Sequence, residues 1–154
     1  MQWAMKPGFL RFVMNCWPPF FFSGIKVEQI NDDFCYVRVK LKSRPWTKNI
    51  NRTQYGGSMF SMTDPIYPLM VMGALGQGYH VWDKKADIDF ISPGRGTLTA
   101  EFWLSDSVLH AIKQATDDGD KHFPEFLVHI KDQQGDIVCE VNRTIYVRKK
   151  KCYR

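Results

Sequence analysis

The sequence predicts a single α+β domain in which an antiparallel β-sheet wraps around one long, apolar helix. Six segments alternate apolar and polar residues with a period of two, which is typical of strands that bury one face. Residues 58–75 are mostly apolar and too long for a strand, so they indicate a helix that must be covered on most sides. The later strands are joined by short turns, which favours antiparallel pairing.

The composition is that of one ordinary globular domain. The 154 residues are 44% hydrophobic and include 11 Phe, which excludes a disordered chain. A chain of this length buries about 70% of the surface of its unfolded form, so it needs no metal ion or disulfide to build a core. The cysteines are scattered, without zinc-ligand spacing; they are Cys16, Cys35, Cys139 and Cys152. We therefore expect reduced thiols, no bound metal and a cytoplasmic protein.

The first third of the chain contains signals for a helix and two strands. Residues 9–16 predict a short helix that ends before Pro18, and three phenylalanines at 20–22 follow as an aromatic cluster. Residues 25–30 and 35–42 predict two strands. In the second strand, alternate positions are apolar and basic, so the sheet should have one buried and one solvated side.

The rest of the chain alternates between helix and strand signals. Pro65 and Pro68 fall within the apolar helix of residues 58–75, so we expect this helix to be kinked or restarted there. The charge-free run at 65–82 contains prolines and glycines, which indicates a core helix and a loop, not a membrane span. The remaining predicted elements are strands at 85–90, 97–104, 126–130 and 137–148, and a helix at 105–118 that buries Val108, Ile112 and Ala115.

The formal charge of +5 is concentrated at the C-terminal end. Residues 148–154 contain five of the 21 basic residues, so the remainder has 16 basic and 16 acidic residues and is neutral. A basic chain end can contact nucleic acid or anionic lipid, but more often it only keeps a protein in solution. We therefore expect no nucleic-acid partner. The chain divides into an N-terminal segment (1–24), a main domain (25–148) and a basic tail (149–154).

One motif resembles the signature of a known family. Residues 56–64 read Gly-Gly-Ser-Met-Phe-Ser-Met-Thr-Asp, which resembles the G-G-x-x-F-x-x-x-D motif of hotdog-fold acyl-CoA thioesterases of the phenylacetate-pathway and 4-hydroxybenzoyl types. Asn49 lies where that family has an Asn, residues 87–93 resemble its strand ending in Ser-Pro, and residues 94–100 are similar to one of its turns. The sequence is most similar to an uncharacterised bacterial subgroup of hotdog proteins that carry Asp-Pro in the central helix.

The resemblance implies a hotdog fold and hydrolysis of an acyl-CoA thioester, with coenzyme A as part of the substrate and no further cofactor. Asp64 matches the acidic residue that activates water or attacks the thioester, and Asn49 and Ser92 match uncharged helpers. Backbone amides near Gly57 begin a helix and can hold an oxyanion. Tyr55 stands where the family has His. The expected substrate-binding residues are Gly56, Ser58 and Arg95.

The spacing of the motif places the acidic residue far from the amides that would hold the oxyanion. Asp64 lies seven residues beyond Gly57. That is about 10 Å along a helix axis, too far to act on a carbonyl bound at the start of its own helix. In the family's dimers the central helices lie side by side, so the acid of one subunit faces the amides of the other. The resemblance therefore implies a homodimer, or a dimer of dimers, as the active form.

Several of these residues also have a purely structural interpretation. Asp64 followed by Pro65 is a helix-start signature, with the aspartate as N-cap. Tyr55 can donate a hydrogen bond to a thioester carbonyl or only pack. Six basic residues at 38–52 suit the phosphates of coenzyme A, or form a solvated strand face. A non-catalytic acyl-CoA or lipid-binding hotdog protein is therefore the alternative function, and binding through the basic tail is a third.

Overall fold

The computed structural model describes residues 6–153 and begins with two short helices. Helix α1 (Pro7–Cys16) confirms the helix predicted at 9–16, and α2 (Pro18–Ser23) follows at once. Each helix starts with proline, whose fixed φ suits the first turn and whose missing N–H is not needed there. The aromatic cluster at 20–22 is therefore helical, and Gly24 ends α2 with a left-handed φ of 78°.

Residues 6–153 contain seven strands, which form one antiparallel sheet. They are β1 (Ile25–Ile30), β2 (Tyr36–Leu41), β3 (Tyr79–Phe90), β4 (Leu98–Trp103), β5 (Lys121–His122), β6 (Glu125–Lys131) and β7 (Ile137–Lys149). Their order across the sheet is β1-β2-β4-β6-β7-β3, with β5 beside β7. All six predicted strands are present, and β5 is too short to produce a sequence pattern. Strands β1 and β3 lie at opposite edges of the sheet.

Strand β3 begins earlier than the sequence predicted. Residues 79–82, which we expected to be helix or loop, extend the strand to Tyr79. They pair with the end of β7, where Tyr79 lies opposite Lys149. Trp82 also stacks on Tyr146 with 4.0 Å between ring centroids. Pairing with a distant segment, more than local sequence, therefore sets the start of β3.

The central helix is interrupted, as its prolines predicted. Helices α3 (Gly56–Ser61) and α4 (Ile66–Leu75) are separated by a turn at residues 62–65. Pro65 lies directly before α4, and because proline has no N–H it cannot continue the hydrogen bonds of α3. The turn exposes Asp64, whereas Met62 and Thr63 beside it are fully buried.

Helix α4 forms the centre of the core. Five of its first six residues are buried: Ile66, Tyr67, Pro68, Met70 and Val71. Apart from Pro68, they share one apolar cluster with residues of the sheet such as Val39, Phe102 and Ile130. An antiparallel sheet packed on a buried central helix confirms the predicted fold class.

Helix α5 (Asp106–Thr116) lies on the surface and corrects one predicted core position. Ile112 is buried as expected, but Ala115 is exposed and Thr116 is buried in its place. The hydroxyl of Thr116 donates to the carbonyl of Ile112 at 2.7 Å. A threonine that satisfies its hydroxyl within its own helix can be buried at little cost.

The basic segment at the C-terminal end is partly built into the fold. Strand β7 continues to Lys149, and a short 3₁₀-helix follows at Lys151–Tyr153. Arg148 donates from Nε to the carbonyl of Gly119 at 2.8 Å, and Lys149 contacts Asp117 at 2.7 Å. No helix within residues 6–153 has the length and apolar character needed to cross a membrane.

Candidate active site

The loop between β2 and α3 is organised by Asn49. Its Oδ1 accepts hydrogen bonds from the backbone N–H groups of Asn51 (3.0 Å) and Thr53 (3.1 Å) and from the hydroxyl of Thr53 (3.1 Å). The Nδ2 group of Asn49 has no hydrogen-bond partner among residues 6–153. Asn49 therefore holds a turn with its oxygen and keeps its amide nitrogen as a free donor.

Four of the predicted site residues line one open cleft of about 760 Å³. They are Asn49, Gly56, Ser92 and Arg95. Ser92 follows β3, and its Oγ lies 3.5 Å from the carbonyl oxygen of Ile137, at the long limit of a hydrogen bond. Arg95 is the sole charged residue on the cleft wall and has no acidic partner within the described chain. The cleft therefore combines apolar side chains such as Met59 and Phe90 with a few polar groups and one positive charge.

Aromatic rings lie against both glycines at the start of α3. A Cβ atom on Gly56 would lie 3.1 Å from the ring of Phe90, and one on Gly57 would lie 2.3 Å from Cε1 of Tyr55. A glycine has no side chain to keep a ligand away from the backbone, but here two rings occupy that space. The side chain of Tyr55 is 59% exposed, so this ring can move away without opening the core.

The start of α3 has two unused amide groups. The N–H groups of Ser58 and Met59 donate to the carbonyl of Tyr55, whereas those of Gly56 and Gly57 have no acceptor among the described residues. These are the orphan donors that any helix start presents. Ser58 is buried and does not line the cleft. Of the three predicted substrate-binding residues, only Gly56 and Arg95 therefore lie on it.

Asp64 lies apart from the cleft, in the turn between α3 and α4. Its side chain is 56% exposed and does not contribute to the cleft wall. The N-cap position of α4 belongs to Pro65, and no side chain accepts a capping hydrogen bond there. The interpretation of Asp64 as a helix cap is therefore wrong.

One buried arginine contacts Asp64. The side chain of Arg143 in β7 is 1% exposed, and its Nη1 lies 3.5 Å from Oδ2 of Asp64. Its Nε donates to the hydroxyl of Thr63 at 3.0 Å, and its Nη2 donates to the carbonyl of Phe60 at 3.4 Å. Because these partners belong to the end of α3 and the turn after it, Arg143 ties the interruption of the central helix to β7.

A second carboxylate shares this arginine. Oδ1 of Asp83 in β3 lies 3.2 Å from Nη1 of Arg143 as an ion pair. Both carboxylate oxygens of Asp83 are buried and, within the described part of the chain, neither makes a hydrogen bond of standard geometry. Burial raises the pKa of Asp83 above its usual 3.8; Arg143 opposes this rise, and Asp64 adds to it. Two carboxylates thus surround one cation.

The sequence analysis did not identify Arg143 or Asp83. The signal for Arg143 was present, because it falls in the same alternating series as Val141, Ile145 and Val147, all of which are buried. A basic residue on the buried face of a strand requires a carboxylate partner. Periodicity could not show which aspartate provides it.

A larger cleft, of about 930 Å³, contains none of the predicted site residues. It opens where β4 and β6 diverge, because their ladder has only two residue pairs. Tyr67 fills the gap, with its ring stacked at 4.1 Å on Phe126. Burial raises the pKa of Tyr67 to about 12. A packed aromatic pair forms the bottom of this cleft. We therefore interpret the cleft as a gap between two strands of the sheet and not as a binding site.

The model of one protein family matches most of the chain. Residues 6–147 match the family described as a domain of unknown function, DUF4442. The chain belongs to this family. The match begins before α1, so both N-terminal helices lie within the matched region. A search of curated proteins found no match to this chain.

Solved structures share the architecture. A protein of unknown function and probable thioesterase from Pseudomonas aeruginosa matches with a TM-score of 0.79 and 17% identity, over 91% of this chain and 93% of that one. A thioesterase from Haemophilus influenzae matches at 0.68 and 14% identity, over 92% and 90%. A hypothetical thioesterase from Streptococcus pneumoniae, solved with coenzyme A, matches at 0.55 and 19% identity, over 82% and 87%. At these identities the similarity shows the fold alone, and it is the hotdog fold.

Proposed function

We propose that this DUF4442 protein hydrolyses a coenzyme A thioester at a site shared by two copies of the chain. Support comes first from the fold, because several structures with this architecture are described as thioesterases. One of them was solved with coenzyme A. A fold does not fix a function, so the proposal depends on the residues of the candidate site.

The proposal depends mainly on the exposure and the contacts of Asp64. Its carboxylate is exposed, caps no helix and is held by the buried Arg143. An exposed carboxylate that serves no helix end yet is anchored in one orientation suits a general base or nucleophile. It occupies the acidic position of the motif that resembles hotdog thioesterases.

A second copy supplies the other half of the site. Asp64 does not reach the cleft that Asn49, Gly56 and Ser92 line in the same chain. Strand β3 is twelve residues long and, among residues 6–153, pairs only with β7, so its other edge is open there. An open edge of this length can pair with a second copy. Such pairing continues the sheet and brings Asp64 of one subunit towards the cleft of the other.

The chemistry follows from these groups. Asp64 takes a proton from water, and the resulting hydroxide adds to the thioester carbonyl carbon. The free N–H groups of Gly56 and Gly57 and the Nδ2 of Asn49 donate to the oxyanion. The C–S bond then breaks, and the coenzyme A thiolate takes the proton from Asp64. Arg95 attracts the phosphates of coenzyme A.

One observation favours the non-catalytic alternative, in which the protein only binds an acyl-CoA. The rings of Phe90 and Tyr55 cover the two glycines whose amides would hold the oxyanion. Tyr55 also stands where the motif of the resembling family has a histidine, so the proton carrier of that motif is missing here. In the catalytic proposal the exposed Tyr55 ring must move when substrate binds.

Asp64→Asn distinguishes the two functions. The asparagine keeps the size of the side chain but cannot take a proton, so hydrolysis should fall by about 10² to 10⁴. The melting temperature should change little, because Asp64 caps no helix and Arg143 keeps Asp83 as a second counter-ion. The assay is thiol release from short-chain, aromatic and long-chain acyl-CoAs.

The matched control is Asp32→Asn, which changes another exposed aspartate, in the β1–β2 turn. It should leave hydrolysis intact. Hydrolysis by Asp64→Asn at the parent's rate would refute a catalytic Asp64. Acyl-CoA binding without hydrolysis by the parent would establish the alternative.

A further inference from the structure

One corner of the molecule exposes three neighbouring aromatic rings. Phe21 and Phe22 on α2 are 65% and 68% exposed, and Trp46, in the loop after β2, is 70% exposed. The two phenylalanine rings are 5.4 Å apart, and Nε1 of Trp46 donates to the carbonyl of Phe22 at 3.3 Å. Single exposed apolar residues are common on proteins, whereas a contiguous aromatic surface marks an interaction site.

Three cations border these rings. Lys26, Lys42 and Arg44 line the same cleft of about 480 Å³ as the three rings, and no acidic residue lines it. None of the three forms a salt bridge within residues 6–153. The sequence gives the reason, since positions 1–27 and 34–63 contain no Asp or Glu. We call these six residues the aromatic–basic corner.

We propose that the aromatic–basic corner docks on the surface of an anionic phospholipid bilayer. Tryptophan and phenylalanine side chains enter the boundary between headgroups and acyl chains, where they bury apolar surface. Lysine and arginine beside them pair with anionic headgroups. The exposed rings therefore suit the boundary with the acyl chains, and the cations without an acidic partner suit the anionic headgroups.

The ring geometry argues against a nucleic acid as the partner. Proteins that bind single strands offer ring faces on which successive bases stack. Here the planes of Phe21 and Phe22 are at 89° to each other, so the two rings do not form such a platform. A bilayer needs no common ring orientation.

The proposed docking surface does not compete with the proposed pairing of subunits. The corner lies beside β1, whereas β3 is at the opposite edge of the sheet. Five inter-strand spacings of about 4.8 Å separate the two edges. A dimer formed through β3 would therefore leave the corner free. Membrane docking also stands without thioester hydrolysis, because it shares no residue with the candidate active site.

Sedimentation of the full chain with vesicles tests the proposal. The probes are vesicles of phosphatidylcholine with added phosphatidylglycerol, and vesicles of phosphatidylcholine alone. We expect binding to the anionic vesicles that weakens as salt is added. The variant Lys26→Gln/Lys42→Gln/Arg44→Gln should lower the partition coefficient about a hundredfold, since each cation contributes about fivefold. Lys113→Gln/Lys121→Gln/Lys131→Gln removes the same charge from exposed positions elsewhere and should not match this loss.

A second variant tests the aromatic part. Phe21→Ser/Phe22→Ser should weaken binding while keeping its dependence on salt, because the cations stay in place. Ile50→Ser/Leu127→Ser removes two other exposed apolar residues as a control. Trp46→Phe should remove most of the change in tryptophan fluorescence that anionic vesicles cause. Circular dichroism checks that each variant is folded.

Four results would overturn the proposal. The first is undiminished vesicle binding by the Lys26/Lys42/Arg44 variant. The second is loss of binding in Lys150→Gln/Lys151→Gln, which would assign it to the basic tail. The third is salt-sensitive binding of single-stranded DNA that is as tight as the binding of anionic vesicles. The fourth is dissociation of a stable oligomer by Phe21→Ser/Phe22→Ser, which would make the corner a protein interface.

Discussion

Arg143 connects the exposed Asp64 to the core through a single guanidinium group. The same group faces the buried oxygens of Asp83 and donates to Thr63 and to the carbonyl of Phe60. A buried cation of this kind offsets the cost of a buried carboxylate, and it fixes the turn that presents Asp64. Its removal should therefore affect both stability and activity.

Arg143→Met should lower the free energy of unfolding by about 3 kcal/mol or more, because it leaves Asp83 buried without a cation. Urea unfolding followed by circular dichroism measures this change. The double variant Arg143→Met/Asp83→Asn removes the unpaired charge and should recover part of the loss. A single variant as stable as the parent would show that Asp83 does not depend on Arg143.

Asp83 should also give the protein a specific dependence on pH. Burial raises its folded pKa above the usual 3.8, so between 3.8 and the raised value the folded protein holds a proton that the unfolded chain has released. This stabilisation is complete below 3.8 and is lost as the pH rises through the folded pKa. The Asp83→Asn variant has no carboxyl group at this position, so its stability does not fall in this way.

Urea unfolding of the parent and of Asp83→Asn over a pH series measures the effect. The difference in stability should shift in favour of Asp83→Asn as the pH rises from about 4. Other carboxylates titrate in both proteins, so they cancel in the comparison to first order. A difference that does not vary with pH would contradict the raised pKa.

At the scale of elements, local patterns predicted most of the fold. Alternation identified six strands, and Pro65 predicted the interruption of the central helix. The start of β3 at Tyr79 could not be predicted, because pairing with the end of β7 determines it. The inward position of Thr116 was also missed, since a hydroxyl bonded within its own helix has no periodic signature.

The packing of helix α4 can be tested at Gly73. Alanine has a higher helix propensity than glycine, but a Cβ at this position would lie 2.2 Å from Cγ of the buried Phe34. Gly73→Ala should therefore destabilise the protein by about 1 to 3 kcal/mol through overpacking. Gly8→Ala in α1 is the control, because no atom of residues 6–153 lies within 4 Å of its added Cβ. Thermal unfolding that ranks Gly73→Ala at or above the parent would show that α4 is not packed against Phe34.

At the scale of the whole molecule, the structure separates the residues that the resemblance grouped into one site. The structure brings Asn49, Gly56, Ser92 and Arg95 to one cleft. It leaves Asp64 outside that cleft, where Arg143 holds it. The sequence spacing could show that Asp64 and the amides near Gly57 are too far apart to act together in one subunit. It could not identify Arg143, because the arginine that positions Asp64 comes from a distant strand.

The most direct test of the shared site is a heterodimer of two inactive subunits. Asp64→Asn removes the proton acceptor. Asn49→Asp keeps the oxygen that organises the loop but replaces the free amide donor. If the site combines Asp64 of one subunit with Asn49 of the other, a heterodimer of the two variants contains one intact site.

Co-expression of the two variants with different affinity tags allows this heterodimer to be purified, and thiol release from acyl-CoA measures its activity. Each homodimer should be nearly inactive, and the heterodimer should regain about half of the parent's activity. A heterodimer as inactive as the two homodimers, or a parent protein that is a stable monomer by light scattering, would contradict a site built from two copies of the chain.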